Sequence, residues 1–285
     1  MLKQNRAILV AESDKHGGHS LGLLNPETLL ISHDKQEYRP ELTETQKNLW
    51  EIREWGREEI LHLAGKSPIV LFDHGDVNQG IKYDVHSPLA AQIKIAYMNN
   101  EPWLREKNVI AVRIDTGTDT HAFGDGDAEE LLAYNIQQKK PNLDVKFVNH
   151  GISEICGLWI DHAHHGPQTG SREWLKGNVA LYYLRDLMMK DILRGRVPPH
   201  LVLRGHYHSV VQVFNRVNGP DNQVYRSWLY VLPSLCGLNG YAIKKTGSEY
   251  EITNGIIAFE VIDGKIKDAY EFTRTFDMRD RETII

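Results

Sequence analysis

Two places in the sequence carry metal-capable side chains that are separated by a single residue. Asp14 and His16 form the first pair, and His206 and His208 form the second. In an extended backbone, residues i and i+2 point to the same side, so each pair can present two ligands to one place. A mixture of carboxylate and imidazole suits manganese, iron, zinc or nickel better than magnesium or calcium, which prefer oxygen ligands. These spacings therefore predict bound transition-metal ions.

Further histidines are clustered rather than scattered among the 14 of the chain. His162, His164 and His165 fall within four residues. Histidines at such spacing are frequent metal ligands. We expect His164 to bind metal, while His162, two residues away, is an alternative that could face the same side. His165 could reach substrate or only water.

Two metal ions held about 3.5–4 Å apart require a bridging carboxylate. Asp76 is the candidate, because Gly75 before it lets the backbone turn sharply. A further polar segment contains Thr118, Asp119 and His121. Asp119 is the expected ligand there, since a carboxylate binds divalent cations more strongly than a hydroxyl, and Thr118 is the alternative.

Each of these polar segments follows an apolar run. The runs predict strands, and periodic apolar positions between them predict helices. In open α/β sheets, ligands gather at the carboxyl ends of strands, so five such segments are expected at one edge. From residue 209 to 276, short alternating runs separated by turns predict antiparallel sheet. The predicted strands are Arg6–Glu12, Pro68–Phe72, Val109–Ile114, Asp144–Val148, Gly157–Ile160 and His200–Leu203, and the predicted helices are Thr43–Ala64, Ser87–Met98, Asp127–Gln138 and Trp174–Leu193.

In order and spacing, these segments resemble the motifs D-x-H, G-D-x-x-D-x-G, G-N-H, a histidine at a strand end, and G-H-x-H of the calcineurin-like metallophosphoesterase superfamily. The resemblance spans residues 7 to about 210. It is carried by Asp14–His16, Gly75–Gly80, Gly117–His121, His164–Gly166 and Gly205–His208. The asparagine of G-N-H is absent here, and two extra residues stand in that motif.

The resemblance implies a fold and a site. The implied fold is a four-layer α/β-β/α sandwich of two mixed sheets flanked by helices, in a single domain over residues 1–285 whose β-rich part begins at about 209 and suits the second sheet. Asp76 would bridge the two cations, and His121 would donate a proton to the leaving group. The implied metal ligands are Asp14, His16, Asp76 and His208 for the first ion, and Asp76, Asp119, His164 and His206 for the second.

The resemblance implies hydrolysis of a phosphoester by a hydroxide held on two divalent transition-metal ions, with manganese favoured over iron, zinc or nickel. We expect a phosphodiesterase acting on a nucleotide or a nucleic-acid end, and a phosphomonoesterase is the alternative. A metallo-β-lactamase-type hydrolase requires H-x-H-x-D-H, but Gly166 and Pro167 stand where Asp and His should. A non-catalytic scaffold is a further alternative, disfavoured because His206 and His208 are both present.

The composition limits which classes of partner are expected. The formal net charge of −5 over 285 residues argues against broad binding of nucleic acid through a basic surface. The two cysteines set no compartment, and no apolar run reaches the roughly 18–20 residues that cross a bilayer. The start of the chain has no signal-peptide pattern, so we expect a cytoplasmic protein without membrane contact. The sequence leaves the oligomeric state open.

Overall fold

The structure is a computed structural model that describes residues 5–82, 87–123, 127–167, 175, 177–237, 251–277 and 279. Within these residues the helices are α1 (Glu44–Ala64), α2 (Leu89–Leu104), α3 (Ala128–Lys139) and α4 (Asn178–Leu193). Trp174 and Lys176, at the beginning of the predicted helix Trp174–Leu193, lie outside the described residues. Helix α1 begins where the sequence predicts, because Thr43 and Gln46 form a reciprocal capping box.

The first sheet has six strands in the order β13-β12-β1-β4-β5-β6. Strands β1, β4, β5 and β6 run parallel to one another, whereas β12 runs antiparallel to β1 and to β13. The sheet is therefore mixed. Its strands are β1 (Arg6–Glu12), β4 (Ile69–Asp73), β5 (Val109–Asp115), β6 (Asp144–Val148), β12 (Glu251–Ile262) and β13 (Lys265–Asp277).

The second sheet has five strands in the order β10-β11-β9-β8-β7 and is also mixed. Strands β8, β9 and β11 are parallel, and an antiparallel strand flanks them on each side. These strands are β7 (Gly151–Ile155), β8 (Leu158–Ala163), β9 (Leu201–Arg204), β10 (Val211–Asn218) and β11 (Val224–Val231). A small separate ribbon joins β2 (Leu30–Ile31) to β3 (Glu37–Tyr38).

Alternation along β1 shows how the layers are built. Leu9 and Ala11 pack with residues of the second sheet, such as Leu203, in the core between the sheets. Ile8 and Val10 face the other way and pack against α1, α2 and α3. Helix α4 covers the outer face of the second sheet. The order of layers is helix, sheet, sheet, helix, which confirms the predicted four-layer α/β-β/α fold.

The C-terminal strands differ in place from the prediction. The strands after residue 209 form antiparallel pairs as predicted, β10 with β11 and β12 with β13. However, β11 also runs parallel to β9, and only β10 and β11 belong to the second sheet. Strands β12 and β13 extend the first sheet instead, because the C-terminal half of β12, residues 257–262, pairs with β1. The single domain stays a prediction. None of the helices in the described part of the chain combines the length and the apolar character needed to cross a membrane.

Candidate metal centre

The polar segments leave the carboxyl ends of strands in both sheets. In the first sheet, β1 ends two residues before Asp14, β4 ends three before Asp76, and β5 ends three before Thr118. In the second sheet, β8 ends one residue before His164 and β9 ends two before His206. Because the parallel strands of each sheet end together, residues that are far apart in sequence meet at one edge.

Three overlapping groups of potential ligands lie at this edge among the described residues, with the ligand atoms of each group within 4.8 Å of one another. Asp14 is shared by the first and second groups, and Asp76 by the first and third. Two carboxylates therefore connect the groups. The groups are Asp14, Asp76, His164 and His206; Asp14, His16 and His208; and His16, Asp76 and His121.

The backbone brings these residues together in a way that the sequence did not predict. We expected extended backbone at the two i, i+2 pairs, and this is wrong. All four of those residues and Asp76 have left-handed backbone, which non-glycine residues rarely adopt and which costs of order 1–3 kcal/mol each. Their φ angles are 53° at Asp14, 44° at His16, 49° at Asp76, 75° at His206 and 50° at His208.

Backbone hydrogen bonds hold two of these strained loops against each other. The N–H of Asp14 donates to the carbonyl of Gly75 at 3.2 Å, and the N–H of His16 donates to the carbonyl of Asp76 at 2.9 Å. The loops after β1 and β4 therefore act as one unit. This pairing fixes the position of Asp14 relative to Asp76.

Asp14 is fully buried and lies beside two histidines of the loop that follows β9. Its Oδ1 atom is 3.2 Å from Nε2 of His208, and its Oδ2 atom accepts a hydrogen bond from the N–H of His206 at 3.0 Å. Burial alone would raise the pKa of Asp14, but His208 and His164 outweigh it and hold that pKa well below its usual range. Asp14 is therefore a carboxylate at neutral pH.

Asp76 is held by the loop after β5. The N–H of Thr118 donates to Asp76 Oδ1 at 2.6 Å, and the Thr118 hydroxyl donates to the same oxygen at 3.1 Å. A Cβ atom at Gly117 would come within 2.4 Å of Asp76 Oδ1, so only glycine fits there. Burial opposes ionisation of Asp76, yet His164, His121 and His16 keep its pKa well below the usual value.

His164 lies in the cluster, and the alternative His162 does not. Nε2 of His164 is 3.1 Å from Asp76 Oδ2, and its Nδ1 faces the carbonyl of His74. Burial would lower the pKa of His164, but Asp76 and Asp14 raise it to about 10. His162 instead binds Asp115 at 2.7 Å, between the two sheets. The geometry favours His164, and its role as a ligand stays a prediction.

His121 has one ring nitrogen fixed and one directed to the cluster. Its Nδ1 lies 2.7 Å from the carbonyl of Gln79, which can only accept, so Nδ1 carries a proton. Its Nε2 is 3.9 Å from Asp76 Oδ2, and its ring makes an edge contact with His16 at 4.3 Å between centroids. In the neutral form Nε2 offers a lone pair to a cation. In the imidazolium form it donates a proton.

The structure does not bring Asp119 to the cluster. Asp119 is exposed and belongs to none of the three groups, whereas its neighbour Thr118 contacts Asp76 directly. The physical reason is that the Thr118 N–H and hydroxyl both turn inward to Asp76. His165 is also exposed, with its ring 5.1 Å from that of His206, at the rim of the cluster.

The donor atoms suit cations. Nε2 of His16 is buried and makes no hydrogen bond, whereas Nε2 of His164 lies against the Asp76 carboxylate. A buried polar atom without a partner is costly in a protein interior. Neutral imidazole nitrogens and carboxylates are ligands for transition-metal ions. The set therefore fits metal ions better than it fits packing.

Glu129, on the first turn of α3, supports the site although it belongs to none of the sequence motifs. Its buried carboxyl accepts a hydrogen bond from the N–H of Val77 at 3.1 Å and so supports the backbone next to Asp76. Burial, with Asp127 and Asp76 nearby, raises the pKa of Glu129 well above its usual value. The sequence offers one signal near Glu129, which is Asp127, the N-cap of α3. That signal indicates the start of a helix and not a contact with the site.

No protein-family model matches the chain, and no curated protein matches it. Solved structures with some likeness include the NAD nucleotidase NadN of Haemophilus influenzae, at 10% identity and TM-score 0.36, over 94% of this chain and 49% of that one. Another is a proposed 5'-nucleotidase of Staphylococcus aureus in complex with alpha-ketoglutarate, at 9% identity and TM-score 0.32, over 98% and 56%. This chain spans about half the length of these two proteins. Likeness at this level establishes neither a family nor an activity.

Proposed function

We propose that this protein is a metal-dependent phosphoester hydrolase of the calcineurin-like metallophosphoesterase type. The observation that carries the proposal is the sharing of Asp14 and Asp76 between neighbouring groups of buried ligands. Shared carboxylates are what a pair of adjacent cations requires. The ordered motifs of the sequence support the same reaction.

Two cations at such a site, when bound, lower the pKa of water and neutralise phosphoryl oxygens. Side chains of the protein hold these cations and orient their ligands in the proposed mechanism. Asp76 and Asp14 would hold the cations close together, and the buried His16 and His164 would contribute imidazole ligands beside them. Thr118 orients Asp76 through two hydrogen bonds. The second cation is proposed with Thr118, rather than Asp119, beside Asp76.

His121 is proposed to donate a proton to the leaving oxygen from Nε2. The Gln79 carbonyl holds the ring so that Nε2 faces Asp76, and the side chain is 16% exposed, which leaves it open to substrate. A proton donor in this place stabilises the charge that develops on an alkoxide. The role is distinct from that of a ligand, because it requires the imidazolium form.

The finer proposal is a phosphodiesterase that acts on a nucleotide or a nucleic-acid end, with manganese as the favoured ion. The net charge of −5 gives no broad basic surface for a long duplex, so a small substrate or a strand end is favoured. A phosphomonoesterase remains the second reading of the same site.

Elemental analysis and hydrolysis test the proposal together. Protein prepared without chelator should contain close to two transition-metal ions per chain. With added Mn²⁺ it should hydrolyse bis-p-nitrophenyl phosphate, a diester, faster than p-nitrophenyl phosphate, a monoester. The reverse preference would favour the phosphatase reading. A protein that binds no metal and hydrolyses neither compound would be the scaffold instead.

A further inference from the structure

A buried network of charges lies directly behind the proposed metal loops. Its centre is Lys15, the residue between Asp14 and His16, whose side chain is completely buried. The two flanking side chains belong to the ligand groups, whereas Lys15 contacts the strand ends and Asn100 of α2. A lysine is almost never fully buried unless it is paired.

The partners of Lys15 are the last residues of two neighbouring strands. Glu12 ends β1 and Asp73 ends β4, and the two are paired in register across the parallel ladder. Both carboxylates are completely buried, so two like charges lie side by side away from water. Lys15 Nζ is 2.9 Å from Glu12 Oε2 and 2.6 Å from Asp73 Oδ2. One ammonium therefore joins the two strand ends.

The helices complete the network around this ammonium. Asn100 of α2 accepts from Lys15 Nζ at 2.9 Å and donates to Asp73 Oδ2 at 3.2 Å. Glu12 also accepts from Arg53 of α1 at 3.1 Å and from the Trp103 indole of α2 at 2.7 Å. Arg53 also pairs with Glu54 at 2.6 Å, so it is shared between two carboxylates. The position of Lys15 is set by three partners, Glu12, Asp73 and Asn100.

The strand ends that Lys15 joins are the ones that deliver Asp14 and Asp76. Glu12 lies two residues before Asp14, and Asp73 lies three before Asp76. Both ligands have left-handed backbone, at φ 53° and 49°, which the surroundings must enforce. A rigid anchor at the base of both loops supplies that constraint.

We propose that Lys15 is a positioning residue for the metal centre: it ties the ends of β1 and β4 together and so sets the spacing of Asp14 and Asp76. The inference rests on the proposed function, since it concerns the affinity of the same site for cations. A role in packing alone would lower the melting temperature and leave metal affinity unchanged. A positioning role lowers metal affinity in protein that is still folded.

The test is a Mn²⁺ titration of the full chain after removal of metal, with free Mn²⁺ followed by electron paramagnetic resonance at 10 °C. Lys15→Met removes the ammonium and keeps the stem. The double variant Lys15→Met with Asp73→Asn also removes one carboxylate, which restores the charge balance because Glu12 keeps Arg53. Arg6→Met is the matched control. Arg6 lies at the start of β1, away from the metal loops, and pairs with the nearly buried Glu260.

Wild-type protein should bind most tightly, the double variant less tightly, and Lys15→Met about tenfold or more weaker than wild type, as for loss of a group that orients a ligand. Arg6→Met should lower the melting temperature and keep the wild-type Kd. Equal Kd values for folded Lys15→Met and wild type would overturn the inference. So would an Arg6→Met variant that binds as weakly as Lys15→Met.

Where Lys15→Met alone does not fold, the charge-balanced double variant is compared with wild type, and an equal Kd overturns the inference. Failure of the proposed function has a different result. In that case wild-type protein itself binds no Mn²⁺, whatever residue stands at position 15.

Discussion

The Nε2 atom of His164 lies 3.1 Å from Oδ2 of Asp76, and both side chains are buried. His164 follows β8 of the second sheet and Asp76 follows β4 of the first. The contact therefore joins the two sheets at the edge where their parallel strands end. Each residue shifts the pKa of the other towards the charged form. A cation between them would replace the proton of His164.

Asp76→Asn should abolish phosphoester hydrolysis, because the amide removes the negative charge that two ligand groups share. Loss of groups that only orient ligands costs about 10- to 100-fold, so loss of Asp76 should exceed about 100-fold in kcat/KM. Hydrolysis of bis-p-nitrophenyl phosphate with Mn²⁺ measures it. Asp34→Asn, at an exposed loop position, is the control, and an unchanged rate for Asp76→Asn would remove Asp76 from the mechanism.

His121→Ala should slow hydrolysis of esters with poor leaving groups more than that of nitrophenyl esters. An alkoxide needs a proton as it departs, and loss of a general acid costs about 10²- to 10⁴-fold, whereas nitrophenolate needs none. The measurement compares kcat for a dinucleotide and for bis-p-nitrophenyl phosphate, with the exposed His33→Ala as the control. An equal loss on both substrates would instead assign His121 to metal binding.

Thr118→Val should weaken hydrolysis by about tenfold, because the variant loses the hydroxyl hydrogen bond to Asp76 and keeps the shape of the side chain. Asp119→Asn, at the exposed neighbouring position, should leave kcat/KM and the Mn²⁺ stoichiometry unchanged. The two variants form a matched pair. If Asp119→Asn alone lost one bound ion, Asp119 would be a metal ligand, as the sequence predicts.

Metal binding should release a proton and strengthen with rising pH. Without metal, Asp76 and Asp14 raise the pKa of His164 to about 10, so its ring is protonated at pH 7 and must lose that proton to bind a cation. Below that pKa the proton competes with the metal, so affinity rises with pH and levels off near pH 10. Calorimetric titration with Mn²⁺ in two buffers of different ionisation enthalpy measures the release. Identical heats in both buffers would contradict it.

The sequence predicted the fold and the convergence of its polar segments because both depend on strong local patterns. Apolar runs such as that before Asp76 are long enough to indicate strands, and parallel strands bring their ends to one edge. The layer order followed from the resemblance. The placement of β12 and β13 did not, because alternation shows which residues form a strand and not which strand it pairs with.

The details of the site were less predictable for conformational reasons. The spacing of Asp14 and His16 is compatible with extended backbone, but both residues are left-handed, in a loop that hydrogen bonds to Gly75 and Asp76 hold in place. Likewise, ligand chemistry favoured Asp119 over Thr118, but backbone direction after Gly117 decides which side chain turns inward. Such choices depend on residues distant in sequence. Lys15 gave no motif signal at all.

The five left-handed residues of the candidate metal centre also limit how this sequence can evolve. A β-branched side chain at any of these positions would clash with its own backbone. The residue type and the left-handed backbone conformation must therefore be retained together. An insertion or deletion of one residue would rotate a ligand away even if every ligand type were kept. The one-residue spacing within each pair of candidate ligands therefore depends on the backbone conformation. We expect even very distant relatives to keep this spacing.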